Sequence, residues 1–262
     1  MSFAASFAVV FGFFARLSLR NRRTWLLLGT AFIPVLVLLA ATMVSAGSAG
    51  TEIGPVLFRQ MAVPFLFTLY IPLMGLLGGS SCVGDEVDQR TLVFLTTRPV
   101  KKSAMLSGKA GVQAAISLMI VIFAMLVSFL LGFKDYVFSA QGSVRLGKYL
   151  LAAGLATLAY TGLFVLLGTL LKKPVIAGII YIFGWEYIVQ FIPGSTQHLT
   201  ISHYVKSLLP YKSAGEGFLM FQLDPSPPLH AVLVLLFLTV VFMAAAVRVF
   251  SRREYVLSEP RM

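Results

Sequence analysis

GDEVDQRTLVFLTTRPVKKSAMLSGK, residues 84–109, is a charged interruption between two long apolar runs, and the fold turns on how it is read. It holds five basic residues (Arg90, Arg98, Lys101, Lys102, Lys109) beside three acids (Asp85, Glu86, Asp88). It is too polar to cross a bilayer and too short to be a domain. Locally it predicts a short helix. Asp85 suits an N-cap, Glu86 and Asp88 fall in the first turn, where negative charge complements the helix dipole, and Arg98 stands at the far end. Pro99 biases Arg98 out of the helical region, so the helix stops there. Val87, Thr91, Phe94 and Leu95 recur at helical spacing and form one face. Two readings follow: a solvated loop whose helix lies on the lipid surface, or a docking helix for a soluble partner. Spacing alone does not choose between them.

Composition places the rest of the chain in a membrane. It is 58% hydrophobic and 12% charged, with mean hydropathy +0.89, whereas soluble domains carry roughly 45–50% apolar and about 25% charged residues. A single cysteine, Cys82, excludes an intrachain disulfide framework and carries no metal signature. The net charge of +11 sits in residues that flank apolar runs, not in a basic–aromatic face. Membrane lipids with anionic headgroups, and not nucleic acid, are the expected partner for it.

Along the chain, residues 1–23 predict an amphipathic helix lying flat in the interface. Phe3, Phe7, Val10, Phe11 and Phe14 recur at helical spacing, and Arg16, Arg20 and Arg23 follow them. Six apolar spans are expected at about 25–44, 56–81, 110–133, 150–171, 175–192 and 229–250. Pro34 kinks the first, and Pro64, Pro72, Gly75, Gly78 and Gly79 break the second. Residues 134–148 are expected to be polar, and 193–228 form the longest external segment, with short amphipathic pieces at 201–209 and 214–223. Fifteen Lys and Arg fall on the side holding both termini and the 84–109 stretch, against six on the other. That imbalance sets both termini in the cytoplasm. The expectation is an all-α polytopic protein forming one membrane domain over 1–262.

The residues 86–92 (EVDQRTL), then Phe94-Leu95, then Arg98-Pro99-Val100, resemble the first cytoplasmic loop of type-2 ABC transporter permeases. Arg90 stands where many members carry Gly, and Thr96-Thr97 where small residues are common. The resemblance implies that this chain is the permease subunit of an ATP-driven exporter in a prokaryotic plasma membrane. It makes the stretch a coupling helix, with Glu86, Val87, Arg90, Thr91, Phe94, Leu95 and Arg98 contacting a separate ABC ATP-binding subunit. It also implies a second permease copy or a homologous permease, with ATP and magnesium held by the partner ATPase and no cofactor here. The competing reading is a non-transporting scaffold whose loop recruits a soluble complex.

Catalytic constellations are weak. Residues 142–149 (GSVRLGKY) almost spell a phosphate-binding loop, but Tyr149 replaces the magnesium-binding hydroxyl residue and no strand precedes it. No His and acid stand at a depth to activate Ser80 or Ser81. His198, His203 and His230 have no converging carboxylate or thiol at metal-ligand spacing. Neither an enzyme nor a metal site is expected. Glu186 is the one acid inside an apolar run. It reads either as a translocation-path or structural polar residue, or as an interface anchor flanked by Trp185 and Tyr187.

Overall fold

Backbone in lipid must satisfy each N–H and C=O internally, and a helix does this within one segment. The computed structural model describes residues 3–20, 22–45, 53–88, 102–133, 139–189, 195–210 and 225–252, and the regular elements among them are all helical. In chain order they are α1 (Phe3–Leu19), α2 (Arg22–Ala31), α3 (Ile33–Ser45), α4 (53–88), α5 (Lys102–Gly132), α6 (Ala140–Leu170), α7 (Pro174–Val189), α8 (Ile201–Ser207) and α9 (Pro228–Arg252). A 3₁₀ turn, Ser195–Leu199, leads into α8. Four are long and apolar enough to cross a bilayer: α4 over Gly54–Val83, and α5, α6 and α9. The chain is a multi-pass membrane protein.

The two other expected spans take a different form. Residues 25–44 divide at Phe32, whose N–H bonds the Gly29 carbonyl in a tighter turn at 3.2 Å. Pro34 has no N–H to give and its ring crowds the carbonyl of Thr30, which accounts for the break just before it. α7 measures about 24 Å at 1.5 Å per residue, against roughly 30 Å of hydrocarbon. The expected polar segment 134–148 turns helical partway along. α6 begins at Ala140, and Ser139 caps it by accepting the Gly142 N–H at 3.0 Å. The phosphate-loop-like 142–149 is therefore helix.

Prolines and glycines in α4 have separate roles. Each proline follows a π-helical stretch, Phe58–Ala62 before Pro64 and Phe65–Tyr70 before Pro72. The second closes with the Ile71 N–H bonding the carbonyl of Leu66, five residues back. A widened turn shifts the carbonyl that the proline ring would otherwise strike. The glycines, expected as breakers, interrupt nothing: Ile71–Asp88 is continuous α-helix. They admit α6 instead. A Cβ at Gly75 would stand 2.9 Å from Tyr160 Cβ, and one at Gly79 2.9 Å from both Phe164 Cβ and the Val165 nitrogen. On the facing helix, a Cβ at Gly168 would lie 3.2 Å from the Ser80 carbonyl oxygen. Small residues four apart let two backbones approach, which is how helices associate where burial from water gives no drive.

α6 is the central helix, packed against α4, α5, α7, α8 and α9. At one end Phe58 meets Phe129, Phe133 and Tyr149 edge-to-face, with ring centroids 5.7, 5.4 and 5.3 Å away. At the other, Cys82 and Val83 of α4, Met105, Leu106 and Ala110 of α5, Val165 of α6, and Ala246 and Phe250 of α9 form a second buried cluster. α1 packs on α5, with Val10 against Gly108 and Phe7 and Phe11 against Gly111.

Candidate functional site

The charged stretch emerges from this second cluster, and its first part departs from expectation. α4 runs through Asp85, Glu86 and Val87 to Asp88, so Asp85 lies inside the helix and is not the N-cap of a new one. No proline stands between 80 and 88, and Gly84 costs a helix interior only about 1 kcal/mol. Burial of Cys82 and Val83 holds the turn just before it. Glu86 and Val87 thus occupy the end of α4, where the helix dipole opposes an acid instead of favouring it. Arg90, Thr91, Phe94, Leu95 and Arg98 lie outside the described residues. Helix resumes at Lys102.

Both flanks of the stretch are tied together by Lys109. Its Nζ donates to the Cys82 carbonyl on α4 at 2.9 Å and stands 4.8 Å above the Phe14 ring of α1. One ammonium thus joins α1, α4 and α5 where the stretch is mounted.

The second site is Glu186. It ends a π-helical stretch, Ile180–Glu186, inside α7 and is only 4% exposed. Residues five apart diverge by about 140° around an α-helix, but the i→i+5 turn of a π stretch returns them to one side. Tyr181 can therefore reach Glu186 from within the same helix, its hydroxyl donating to Oε1 at 3.1 Å. The Tyr160 hydroxyl of α6 donates to Oε2. The backbone N–H of Ile201, the first residue of α8, supplies a further bond. A buried carboxylate needs such donors, because leaving one unpaired costs several kcal/mol.

α8 brings a cation to the same place. Lys206, outside the spanning helices and partly buried, is held below the ordinary lysine value, at about 8. Burial lowers it, and attraction to Glu186 partly restores it. Beside it His203 is buried, with Nε2 2.9 Å from Ser226 Oγ, and the His198 ring sits 4.4 Å away, centroid to centroid. Ser207 Oγ donates to the His203 carbonyl at 2.8 Å and accepts the Ser226 N–H at 3.2 Å. These bonds stitch α8 to the segment that opens α9.

Tyr160, Tyr181, Ile201 and Lys206 were not foreseen from the sequence. Tyr181 and Glu186 do not share a face at α-helical spacing, and Tyr160 is one of several hydroxyl residues, with Thr157, Thr161 and Thr169, in an apolar run. The usable signal was indirect: a carboxylate in a span requires donors, and span tyrosines are the available ones. Trp185, by contrast, is 47% exposed.

A chain of contacts links the two sites. Gly79 abuts Phe164, whose ring stacks on Tyr160 and meets Tyr181 edge-to-face, and Gly75 abuts Tyr160 directly. Compared with known families, residues 18–185 match the family model described as ABC-2 family transporter protein. The matched part takes in Tyr160 and Tyr181 and ends one residue before Glu186. No curated protein matches the chain.

Proposed function

The chain belongs to the ABC-2 family of transporter membrane proteins, and on that premise we propose that it is the permease subunit of an ATP-driven exporter. The family is a transport component, so chemistry falls to a partner: a separate ABC subunit hydrolyses ATP with magnesium. That subunit grips the 84–109 stretch, with Val87, Phe94 and Leu95 in apolar contact, Thr91 on the same face, and Glu86, Arg90 and Arg98 at the rim. In this reading the short helices α2–α3 and α7 join the four long ones as six spans. Both termini face the cytoplasm of a prokaryotic cell, and two such permeases pair in the plasma membrane.

The observation that supports this most is the unbroken packing between the two sites. A push on the end of α4 has no slack to take up, because a Cβ does not fit between α4 and α6 at Gly75 or Gly79. It is passed to Phe164 and to Tyr160, which abuts Gly75 about 20 Å up the α4 axis from Asp88, and from Tyr160 to Glu186. There it bears on α8, which is hydrogen-bonded to the same carboxylate. Packed elements of this kind move as discrete rigid bodies.

The test needs no knowledge of the cargo. In the complex with its ATP-binding subunit, a cysteine at Leu199, which is 67% exposed, is introduced into a Cys82→Ser background. Its rate of modification is expected to change with ATP and orthovanadate. Glu86→Ala or Phe94→Ala should abolish that change while hydrolysis continues. A response that survives in both variants refutes force transmission through the stretch.

A further inference from the structure

Glu186 accepts from donors that carry no net charge: the hydroxyls of Tyr160 and Tyr181 and the Ile201 N–H. Such donors orient a carboxylate without cancelling its charge, and a buried charge is tolerated where a counter-charge answers it. Lys206 is drawn to Glu186 in that role. The two partners are mounted differently. Tyr160, Tyr181 and Glu186 stand on α6 and α7, which pack on each other and on α4. Lys206 arrives on α8, a helix of seven residues. Thr200 holds its start by accepting the His203 N–H at 3.3 Å, and Ser207 holds its end by accepting the Ser226 N–H at 3.2 Å. The cation can therefore leave with α8 while the carboxylate stays in the bundle.

The carboxylate is also set among aromatic rings. Tyr160 stacks on Phe164 with centroids 6.3 Å apart, and Phe164 meets Tyr181 edge-to-face at 6.2 Å. Aromatic rings grouped beside an acid are the chemistry that recognises an ammonium group. Elsewhere on α7, Ile176, Ile180 and Phe183 are exposed, so the helix that carries Glu186 also has an apolar surface for lipid. We infer that Glu186, Tyr160, Tyr181 and Phe164 form a binding site for a cationic amphiphile, an ammonium group on an apolar body, which Lys206 occupies as a tethered stand-in until α8 withdraws. This rests on the transport role proposed above and gives the cargo a chemical class. A push relayed through Tyr160 to α8 exchanges one cation for another, so the buried carboxylate keeps a counter-charge. The stand-in is held loosely: burial keeps Lys206 at about 8, close to neutral pH.

The experiment measures equilibrium binding of radiolabelled tetraphenylphosphonium, a permanent apolar cation, to the full chain in nanodiscs of zwitterionic lipid. Dodecyltrimethylammonium should compete for the site, and dodecanol, with the same chain and no charge, should not. Lys206→Met should tighten binding about tenfold or more, because a site open in at most about 10% of molecules is freed of its tethered occupant. Arg248→Met, the same change of net charge at an exposed position on α9, should leave binding unchanged. Glu186→Gln should weaken it by about thirtyfold or more. Wild-type binding should strengthen from pH 7 to pH 9 as Lys206 loses its charge, and binding to Lys206→Met should not. Equal competition by dodecanol, no gain in Lys206→Met beyond that in Arg248→Met, or a flat wild-type pH profile overturns the inference. So does undiminished binding by a folded Glu186→Gln. The permease is used alone, so failure here is distinct from failure of coupling through 84–109, which is read with the ATP-binding subunit present.

Discussion

Replacing Glu186 by leucine removes the acceptor shared by Tyr160, Tyr181 and the Ile201 N–H. Each buried donor left unpaired costs about 1–3 kcal/mol, and hydroxyls that can turn elsewhere recover part of it. The expected loss is therefore about 3–5 kcal/mol, as for other buried charge networks stripped of one member. For a chain of this size a kcal/mol moves the melting temperature by about 2–4 °C, so Glu186→Leu should melt roughly 10 °C lower. Tyr181→Phe removes one charge-assisted bond, costing about 2 kcal/mol and roughly 4–8 °C. The two changes should not add. In the double variant one orphaned donor is gone, which returns about 1–3 kcal/mol of the sum. The protein supplies its own probe: Cys82 is the sole cysteine and is 5% exposed, so a fluorogenic thiol reagent reports unfolding directly. If Glu186→Leu melts with the wild type, or the double variant loses the full sum, the carboxylate does not organise α6, α7 and α8 as described.

Three further outcomes are expected. Gly79→Leu should force α4 from α6 and cost about 1–3 kcal/mol or more by overpacking, whereas Gly147→Ala, with open space around it, should gain about 0.5–1 kcal/mol; the same thiol melt separates them. Lys206 has a folded value of about 8 against 10.5 for an ordinary lysine, so the unfolded chain binds more protons in between. Stability should rise as pH climbs from about 8 to about 10.5, and Lys206→Met should flatten that slope in melts across the range. Lys109→Met loses a charged hydrogen bond to the Cys82 carbonyl and the contact with Phe14. It should cost about 1–2 kcal/mol and speed tryptic cleavage at Arg16 or Arg20 in mild digests.

Much of the scaffold was legible in one dimension because lipid leaves the backbone few choices. A run such as 110–133 must be helical wherever it packs, and its apolar length follows from composition. Pro34 forecast a disturbance that appears at Phe32. Pro64 and Pro72 gave only half their meaning, since a proline announces a lost hydrogen bond but not the π turn that absorbs it. Gly75 and Gly79 read as weak points until α6 was seen against them. Asp85 read as a helix start because the local signal for a cap says nothing about the helix already arriving from Ile71.

What the sequence determined unaided was membrane residence and helical class, both of which depend on local composition acting against one solvent. Only the tertiary structure decided that Glu186 is buried among donors from α6, α7 and α8, and that α4 and α6 touch backbone to backbone. Those outcomes depend on which distant surfaces meet. Tyr160 and Glu186 are 26 residues apart, and no property of either, taken alone, fixes that distance in space.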